Sequence, residues 1–304
     1  MVTPRHWLAL ILAGSLAACA APCDYRAGDA LPVDMRLNVP VVPVEVNGQR
    51  MPFVLDTGGT SVAVTPEAVQ FLRLPRDPVR KTELRGTGGV SVEQNALLRR
   101  MGVGRRQFGN LSLPVAAHPL PGQRLIAGFL GANLLRASEV EMDIPSRRVV
   151  LHDARTCLAS PPPWPGGYDT IPVEVLQNGW VLMTVELDGT AVPALLDTGA
   201  GHTSIRRSTA VALGVPEAML SVAPARLLLG IGPSRMEARV HRFATVRIGQ
   251  EVLRDMPVSV VERPDDFPFG IVLGQDYIGA RRLWLCYARQ SLYVQRPLRV
   301  TDAN

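Results

Sequence analysis

Val54-Leu55-Asp56-Thr57-Gly58 recurs in the same chain as Leu195-Leu196-Asp197-Thr198-Gly199, at an offset of 141 positions between the two aspartates (56 to 197). In each copy an apolar run ends on an aspartate, followed by threonine and glycine. One copy is an ordinary turn signal, because aspartate and glycine favour turns. Two copies imply an internal repeat, and a repeat must extend into the flanks. Upstream of the first, Val41-Val42-Pro43-Val44-Glu45-Val46 leads into Asn47-Gly48; upstream of the second, Met183-Thr184-Val185-Glu186-Leu187 leads into Asp188-Gly189. Asn-Gly and Asp-Gly suit two-residue hairpin turns, which need φ > 0 at both positions. The turn glycine precedes the aspartate by 8 residues in both copies (48 to 56, 189 to 197). Each half therefore reads as a hairpin whose second strand delivers an aspartate at its end.

The match continues downstream. Thr65-Pro66-Glu67 has a cap residue and a proline at the first helical position, and Arg206 to Leu213 is expected as the corresponding short helix, stopped by Gly214. Glycine-rich turns follow in both halves, Gly86-Thr87-Gly88-Gly89 and Gly230-Ile231-Gly232-Pro233. Then an apolar pair meets glycine, Phe129-Leu130-Gly131 and Val272-Leu273-Gly274. Short alternating strands such as Val246 to Ile248 and Val258 to Val261 occupy much of the rest. The expected architecture is all-β: two homologous lobes, residues 38–158 and 170–298, with few short helices. Ser160-Pro161-Pro162-Pro163-Trp164-Pro165-Gly166-Gly167 marks a semi-rigid linker over residues 159–169.

Composition agrees with this division. The 304 residues accommodate two domains, and 47% hydrophobic with 19% charged residues is a folding composition, not a disordered one. The net charge of +5 rests on scattered arginine pairs (Arg99–Arg100, Arg105–Arg106, Arg147–Arg148, Arg206–Arg207, Arg281–Arg282), with Lys81 the single lysine. These pairs are expected on solvated strand ends and helix faces. No aromatic-basic interleaving accompanies them, so no nucleic-acid partner is expected.

The first residues read as an address. A basic start at Arg5 and His6 precedes an apolar run from Trp7 to Ala18, too short to span a bilayer and suited to a secretory signal over residues 1–18. Leu16-Ala17-Ala18-Cys19 resembles the lipobox of bacterial lipoproteins. That resemblance implies cleavage before Cys19, lipidation of Cys19, and a tether over residues 19–37. Export is expected, with a lipid anchor on a membrane and the protein facing the periplasm; ordinary cleavage near Ala20 is the plainer alternative.

With Cys19 lipidated, Cys23, Cys157 and Cys286 remain, an odd number. Cys286 lies in the apolar run Leu283-Trp284-Leu285-Cys286-Tyr287 and is expected as a buried thiol; Cys23 and Cys157 are the expected disulfide pair. No cysteine or histidine spacing suits a metal, and no cofactor motif is present. Gly86 to Gly89 lacks the lysine and hydroxyl residue of a phosphate loop, and neither Ser61 nor Ser204 sits in a Gly-x-Ser-x-Gly nucleophile elbow.

The paired Asp-Thr-Gly motifs, the glycine-rich turns and the apolar-apolar-Gly stretches together resemble the pepsin and retropepsin group of aspartic peptidases, over about residues 38–154 and 170–297. Gly131-Ala132-Asn133-Leu134-Leu135 and Gly86-Thr87-Gly88-Gly89 resemble the corresponding retropepsin stretches most closely. The resemblance implies two retropepsin-like β-barrel lobes related by a pseudo-two-fold axis in one monomeric chain. It implies that Asp56 and Asp197 face each other and share a proton, since two like charges about 3 Å apart do not both ionise. Thr57 and Thr198 would hydrogen-bond across the axis, and Gly58 and Gly199 would bring backbone N–H groups to the carboxylates. Gly86, Thr87, Gly88 and Gly89, with Gly230, Ile231 and Gly232, would be flaps over a protein or peptide substrate. The implied activity is endopeptidase hydrolysis by activated water, with no metal or cofactor. Gly59 and Ala200, which follow the two motifs, are both small. Pro233 departs from the pattern, implying a stiffer second flap, and neither flap carries a tyrosine. A non-catalytic peptide-binding lipoprotein with the same fold is the alternative from a different class, and lobes pairing between chains is a third.

Overall fold

The computed structural model describes residues 28–86, 88–117, 126–153, 162–228, 230–232 and 235–296. Both predicted hairpins form. Val41–Val46 pairs antiparallel with Gln49–Leu55, and Val181–Leu187 with Thr190–Leu196. Asn47 and Gly48 have φ of 50° and 90°, Asp188 and Gly189 φ of 46° and 85°, the left-handed pair such turns demand.

Each hairpin is closed into a barrel by the same order of partners. In the first half Gly128–Leu130 lies parallel to Gln49–Leu55 and carries Ala63–Val64 on its other side. Val41–Val46 pairs with Gly89–Val103, which pairs with Arg106–Leu113, and a parallel bridge from Val64 to Val115 closes the ring. In the second half Ile271–Leu273 lies parallel to Thr190–Leu196 and antiparallel to Ser204–Arg206. Glu251–Val261 then Met236–Ile248 follow, and Met236–Ile248 returns to Val181–Leu187. The burial pattern of Gln49–Leu55 and Thr190–Leu196 becomes continuous toward the aspartate, because both faces of that strand end are covered.

Helices are short and few among the described residues. Thr65 caps Pro66–Phe71 as expected, its hydroxyl accepting from Ala68 N at 3.2 Å. In the second half the helix is Arg207–Ala212, because Arg206 still belongs to strand Ser204–Arg206; a further helix, Glu217–Val222, was not foreseen.

The lobes are joined by a sheet as well as by a linker. Its order is Asp29–Pro32, Arg148–Asp153, Ser138–Asp143, Arg282–Cys286, Ser291–Gln295, Tyr168–Pro172. Three strands come from each half, and the central pair is antiparallel, with Arg282 opposite Asp143 and Cys286 opposite Glu139. Asp29–Pro32, expected within the tether, is thus an edge strand of this sheet, and Tyr168–Pro172 continues directly from the Pro/Gly segment. Trp164 of that segment is buried edge-on against Trp284, so its described part is docked.

Three buried carboxylates, Glu139, Glu141 and Asp143, sit on the central strand Ser138–Asp143. Glu141 accepts from His152 Nε2 (2.8 Å), Arg282 Nε (2.8 Å) and Trp164 Nε1 (3.2 Å). Glu139 accepts from Trp284 Nε1 (2.6 Å), Cys286 Sγ (3.3 Å) and Arg289 Nη2 (3.2 Å). Burial pushes Glu141 up, but the hydrogen bonds from His152 and Arg282 outweigh it and hold the carboxyl at about 2. Cys286 is a free, buried thiol, as its apolar run suggested. Cys19, Cys23 and Cys157 lie outside the described residues, with the signal segment and the expected disulfide.

The expectation that the arginine pairs are solvated needs correction at Arg206, Arg281 and Arg282; Arg281 is mostly covered and paired with Glu251. Arg206 is buried, with Nη2 donating to the carbonyls of Phe267 (2.9 Å) and Phe269 (2.6 Å). Arg282 spans the lobes to Glu141. A guanidinium is planar and weakly hydrated, so it enters a protein interior wherever carboxylates or carbonyls meet its fork.

Candidate active site

Asp56 and Asp197 stand at the ends of equivalent strands. Asp56 N donates to Leu130 O at 3.1 Å and Asp197 N to Leu273 O at 3.0 Å, so each apolar-apolar-Gly stretch clamps the aspartate of its own lobe. A Cβ on Gly131 or Gly274 would collide with the backbone of Ser61 or His202, which lets those stretches pack flush behind the loops.

The two loops interlock across the lobes. Thr57 N donates to Thr198 Oγ1 and Thr198 N to Thr57 Oγ1, both at 3.0 Å. Each hydroxyl in turn donates across the axis, Thr57 Oγ1 to Leu196 O (2.7 Å) and Thr198 Oγ1 to Leu55 O (2.6 Å). Both threonines are wholly buried, so this four-bond lattice fixes the relative position of the carboxyls.

The carboxyls themselves meet. Asp56 and Asp197 are hydrogen-bonded to each other. A Cβ on Gly58 would lie 2.5 Å from Asp197 Oδ2, and one on Gly199 would lie 2.7 Å from Asp56 Oδ1, so only glycine fits beside the opposite aspartate. Gly59 N donates to Asp56 Oδ1 (2.9 Å); Gly199 N (2.8 Å) and Ala200 N (3.2 Å) donate to Asp197 Oδ1. Burial raises both carboxyls above the ordinary aspartate range. The charge of Asp197 raises Asp56 further, whereas the N–H bonds of Gly199 and Ala200 and the charge of Arg263 restrain Asp197. Burial and the nearness of the two carboxyls thus favour keeping a proton on the pair as a unit.

The flap residues form two hairpin tips that touch. Gly86 pairs with Gly89 across the first tip; Thr87 lies outside the described residues, as do Leu229, Pro233 and Ser234 of the second. Gly88 N donates to Ile231 O at 2.9 Å, and Gly232 N to Ala117 O at 2.9 Å. A Cβ on Gly232, whose φ is +125°, would lie 2.5 Å from Gly88 O, and one on Gly86 would lie 2.3 Å from Ile231 O, which accounts for glycine at these two positions. Gly230 flanks this contact, and Ile231 packs against the apolar cluster of Val41, Val54 and Phe129 in the opposite lobe.

Three residues of this region were not foreseen from the sequence. Trp180 Nε1 donates to Gly58 O at 2.8 Å, joining the second lobe to the first aspartate loop. Asn38 Nδ2 donates to Gly201 O at 2.7 Å, and so joins the first lobe to the second loop. Gln275 Nε2 donates to Thr198 O at 2.7 Å. The Asn178-Gly179 turn before Trp180 was a local signal for a loop, but nothing local says where its indole goes.

Among the described residues no group of three or more His, Cys, Asp or Glu side chains is placed to hold a metal ion. A surface hollow lined by Val46, Leu72, Arg99 and Asn110 contains no part of either aspartate loop.

A family model described as Aspartyl protease matches the sequence twice, over residues 42–134 and 183–277. Each match contains one aspartate loop and the apolar-apolar-Gly stretch that clamps it. No curated protein matches the chain.

Proposed function

The chain belongs to the aspartyl protease family, and from that premise we propose that it is a single-chain endopeptidase using water activated between Asp56 and Asp197. The observation that carries this reading is the pair of interlocked loops that bring the Asp56 and Asp197 carboxyls together across the lobes. Asp197, as carboxylate, takes a proton from a water held between the two groups, and the water oxygen attacks the scissile carbonyl carbon. Asp56 gives its proton to the carbonyl oxygen, so a neutral gem-diol forms without an exposed oxyanion. Collapse of the diol returns one hydroxyl proton to Asp56, and the proton on Asp197 passes to the leaving amine. The shared proton is thus restored and no external acid is consumed. The flap tips at Gly86 to Gly89 and Gly230 to Gly232 bind an extended peptide through main-chain hydrogen bonds and exclude water.

The proposal extends to location: export, with Cys19 acylated as the membrane anchor and the lobes facing the periplasm. Leu16-Ala17-Ala18-Cys19 supports it. Labelled palmitate entering wild-type protein but not Cys19→Ser tests this, and no label in the wild type would refute it.

For the chemistry, the purified protein is incubated with a peptide library from pH 3 to 8, with and without a statine-containing peptide that mimics the gem-diol. Cleavage blocked by the statine peptide is expected. Peptide binding without cleavage at any pH would point to the non-catalytic binder.

A further inference from the structure

Side chains alternate along Gln49–Leu55. Phe53 and Leu55 enter the barrel core, whereas Val54 lies on the other face, the one to which Asp56 returns two residues later. Val41 and Phe129 stand opposite Val54 on the two neighbouring strands, so an apolar row lies on the dyad side of the first lobe. The second lobe repeats the row with Leu182, Leu195 and Val272. The two rows are covered differently. Among the described residues, those packed on the second row, Trp180 and Phe267 included, belong to the second lobe itself. The first row is covered by Leu37, Val39 and Leu84 of its own lobe and by Ile231, which reaches it from the tip of the opposite flap.

The backbone around Ile231 is held as a bound peptide strand would be. Ile231 O accepts from Gly88 N at 2.9 Å, and the next amide, Gly232 N, donates to Ala117 O at 2.9 Å. The carbonyl of Ile231, the N–H that follows it and the aliphatic side chain thus all engage the first lobe. At the rim, Arg85 Nη1 lies 3.8 Å from Asp266 Oδ2, an exposed ion pair across the lobes that adds little. The N–H of Gly88 cannot receive a substrate carbonyl while it is bonded to Ile231 O. Nor can the apolar row take a substrate side chain at the place that Ile231 covers.

We propose that the second flap is an autoinhibitory plug: Gly230-Ile231-Gly232 occupies the first lobe's side of the cleft as a substrate strand would, and a peptide binds only by displacing it. This inference rests on the peptidase reading and adds a means of regulation to it. The side chain at position 231 sets the strength of the plug, because the main-chain bonds at Gly88 and Ala117 are exchanged for equivalent bonds when a peptide enters. Ile231 is half-buried, so its apolar contact is large enough to oppose entry and small enough to be displaced. The device is one-sided. The described tip residues of the first flap are Gly86, Gly88 and Gly89, which have no side chain to insert.

The test follows binding of a fluorescent statine peptide to wild type, Ile231→Val and Ile231→Ala by stopped-flow anisotropy. In wild type the observed association rate should level off as peptide is raised, because lifting the plug becomes limiting. Ile231→Ala should raise that plateau by about tenfold, since three carbon atoms leave a half-buried contact, and Ile231→Val should fall between. Equilibrium binding should tighten in the same order. A rate that rises linearly with peptide in wild type, or a plateau that Ile231→Ala leaves unchanged, overturns the plug. Weaker binding by Ile231→Ala also overturns it, since Ile231 would then grip the substrate. Cleavage assays on the same proteins separate the two readings. Cleavage by wild type without the expected plateau leaves the peptidase reading intact and removes the plug. The expected plateaus without cleavage of any library peptide keep the plug and remove the peptidase. No binding by any of the three proteins overturns both. Should Ile231→Ala fail to fold, Ile231→Val carries the comparison with a smaller step.

Discussion

The indole N–H of Trp180 donates to the carbonyl of Gly58 at 2.8 Å, so a side chain of the second lobe holds the aspartate loop of the first. Trp180→Phe keeps the ring but removes the donor and leaves a partly buried carbonyl unpaired. A loss of about 1–2 kcal/mol is expected from urea unfolding, and a larger proportional loss in kcat than in substrate affinity, because the loop carries Asp56. Unchanged kcat would show that the contact does not position the loop.

The threonine lattice makes a sharper prediction. Thr57→Val and Thr198→Val each leave a buried N–H and a buried carbonyl without partners. Each should cost about 2–4 kcal/mol, while Thr→Ser at either position keeps the hydroxyl and most of the stability. The double valine variant should lose less than the sum of the two, since the four bonds divide two to each hydroxyl and loosening either loop relaxes its partner. Additive losses in a urea-unfolding cycle would mean that the two hydroxyls act independently.

Asp56→Asn and Asp197→Asn should each lose several orders of magnitude of peptide hydrolysis, and the double variant little more, because the two act as a unit. The six-stranded sheet that sets three strands from one half beside three from the other joins both lobes within one chain. Mixing the two inactive variants should therefore restore nothing. Recovery of activity on mixing would show lobes exchanging between chains.

The dyad also sets a pH dependence. Burial raises Asp56 and Asp197, so the unfolded chain releases these protons at lower pH than the native protein. The native state then binds more protons than the unfolded state above the ordinary aspartate range, and stability falls as pH rises through that interval. Asp56→Asn removes the burden. Its Tm should exceed that of wild type at neutral pH, with the gap closing toward pH 3. A gap independent of pH would mean that Asp56 is not raised. Activity should decline at alkaline pH as the shared proton is lost.

Glu141 acts in the opposite sense. Its folded value of about 2 lies below the ordinary glutamate range, so its contribution is full above that range and is lost as pH falls toward 2. Glu141→Gln leaves the guanidinium of Arg282 only its longer ion pair with Asp143 at 3.8 Å and should cost about 1–3 kcal/mol at neutral pH. Urea titrations at pH 7 and pH 2.5 test it: the difference between variant and wild type should shrink markedly at the lower pH.

Much of this architecture was written locally. Asn47-Gly48 and Asp188-Gly189 specify their turns through the backbone angles they tolerate, and alternation along the flanking strands specifies which face is buried. The repeat then places Asp56 and Asp197 at equivalent strand ends and Gly131 and Gly274 behind them, so the all-β lobes and the candidate pair were legible without coordinates. Residues whose partners lie far along the chain were not. The six-stranded sheet depends on Glu139 and Glu141 meeting Cys286 and Trp284 across the pseudo-axis, and nothing near Glu141 announces Arg282. Asp29–Pro32 looked like tether because an edge strand of four residues has too little pattern to register. Arg206 and Arg282 resembled surface arginines because composition counts charge, whereas burial depends on which carbonyls and carboxylates the fold brings around it. Hydrogen-bond geometry and desolvation are properties of a neighbourhood in space, and that neighbourhood exists only once the two halves have closed on each other.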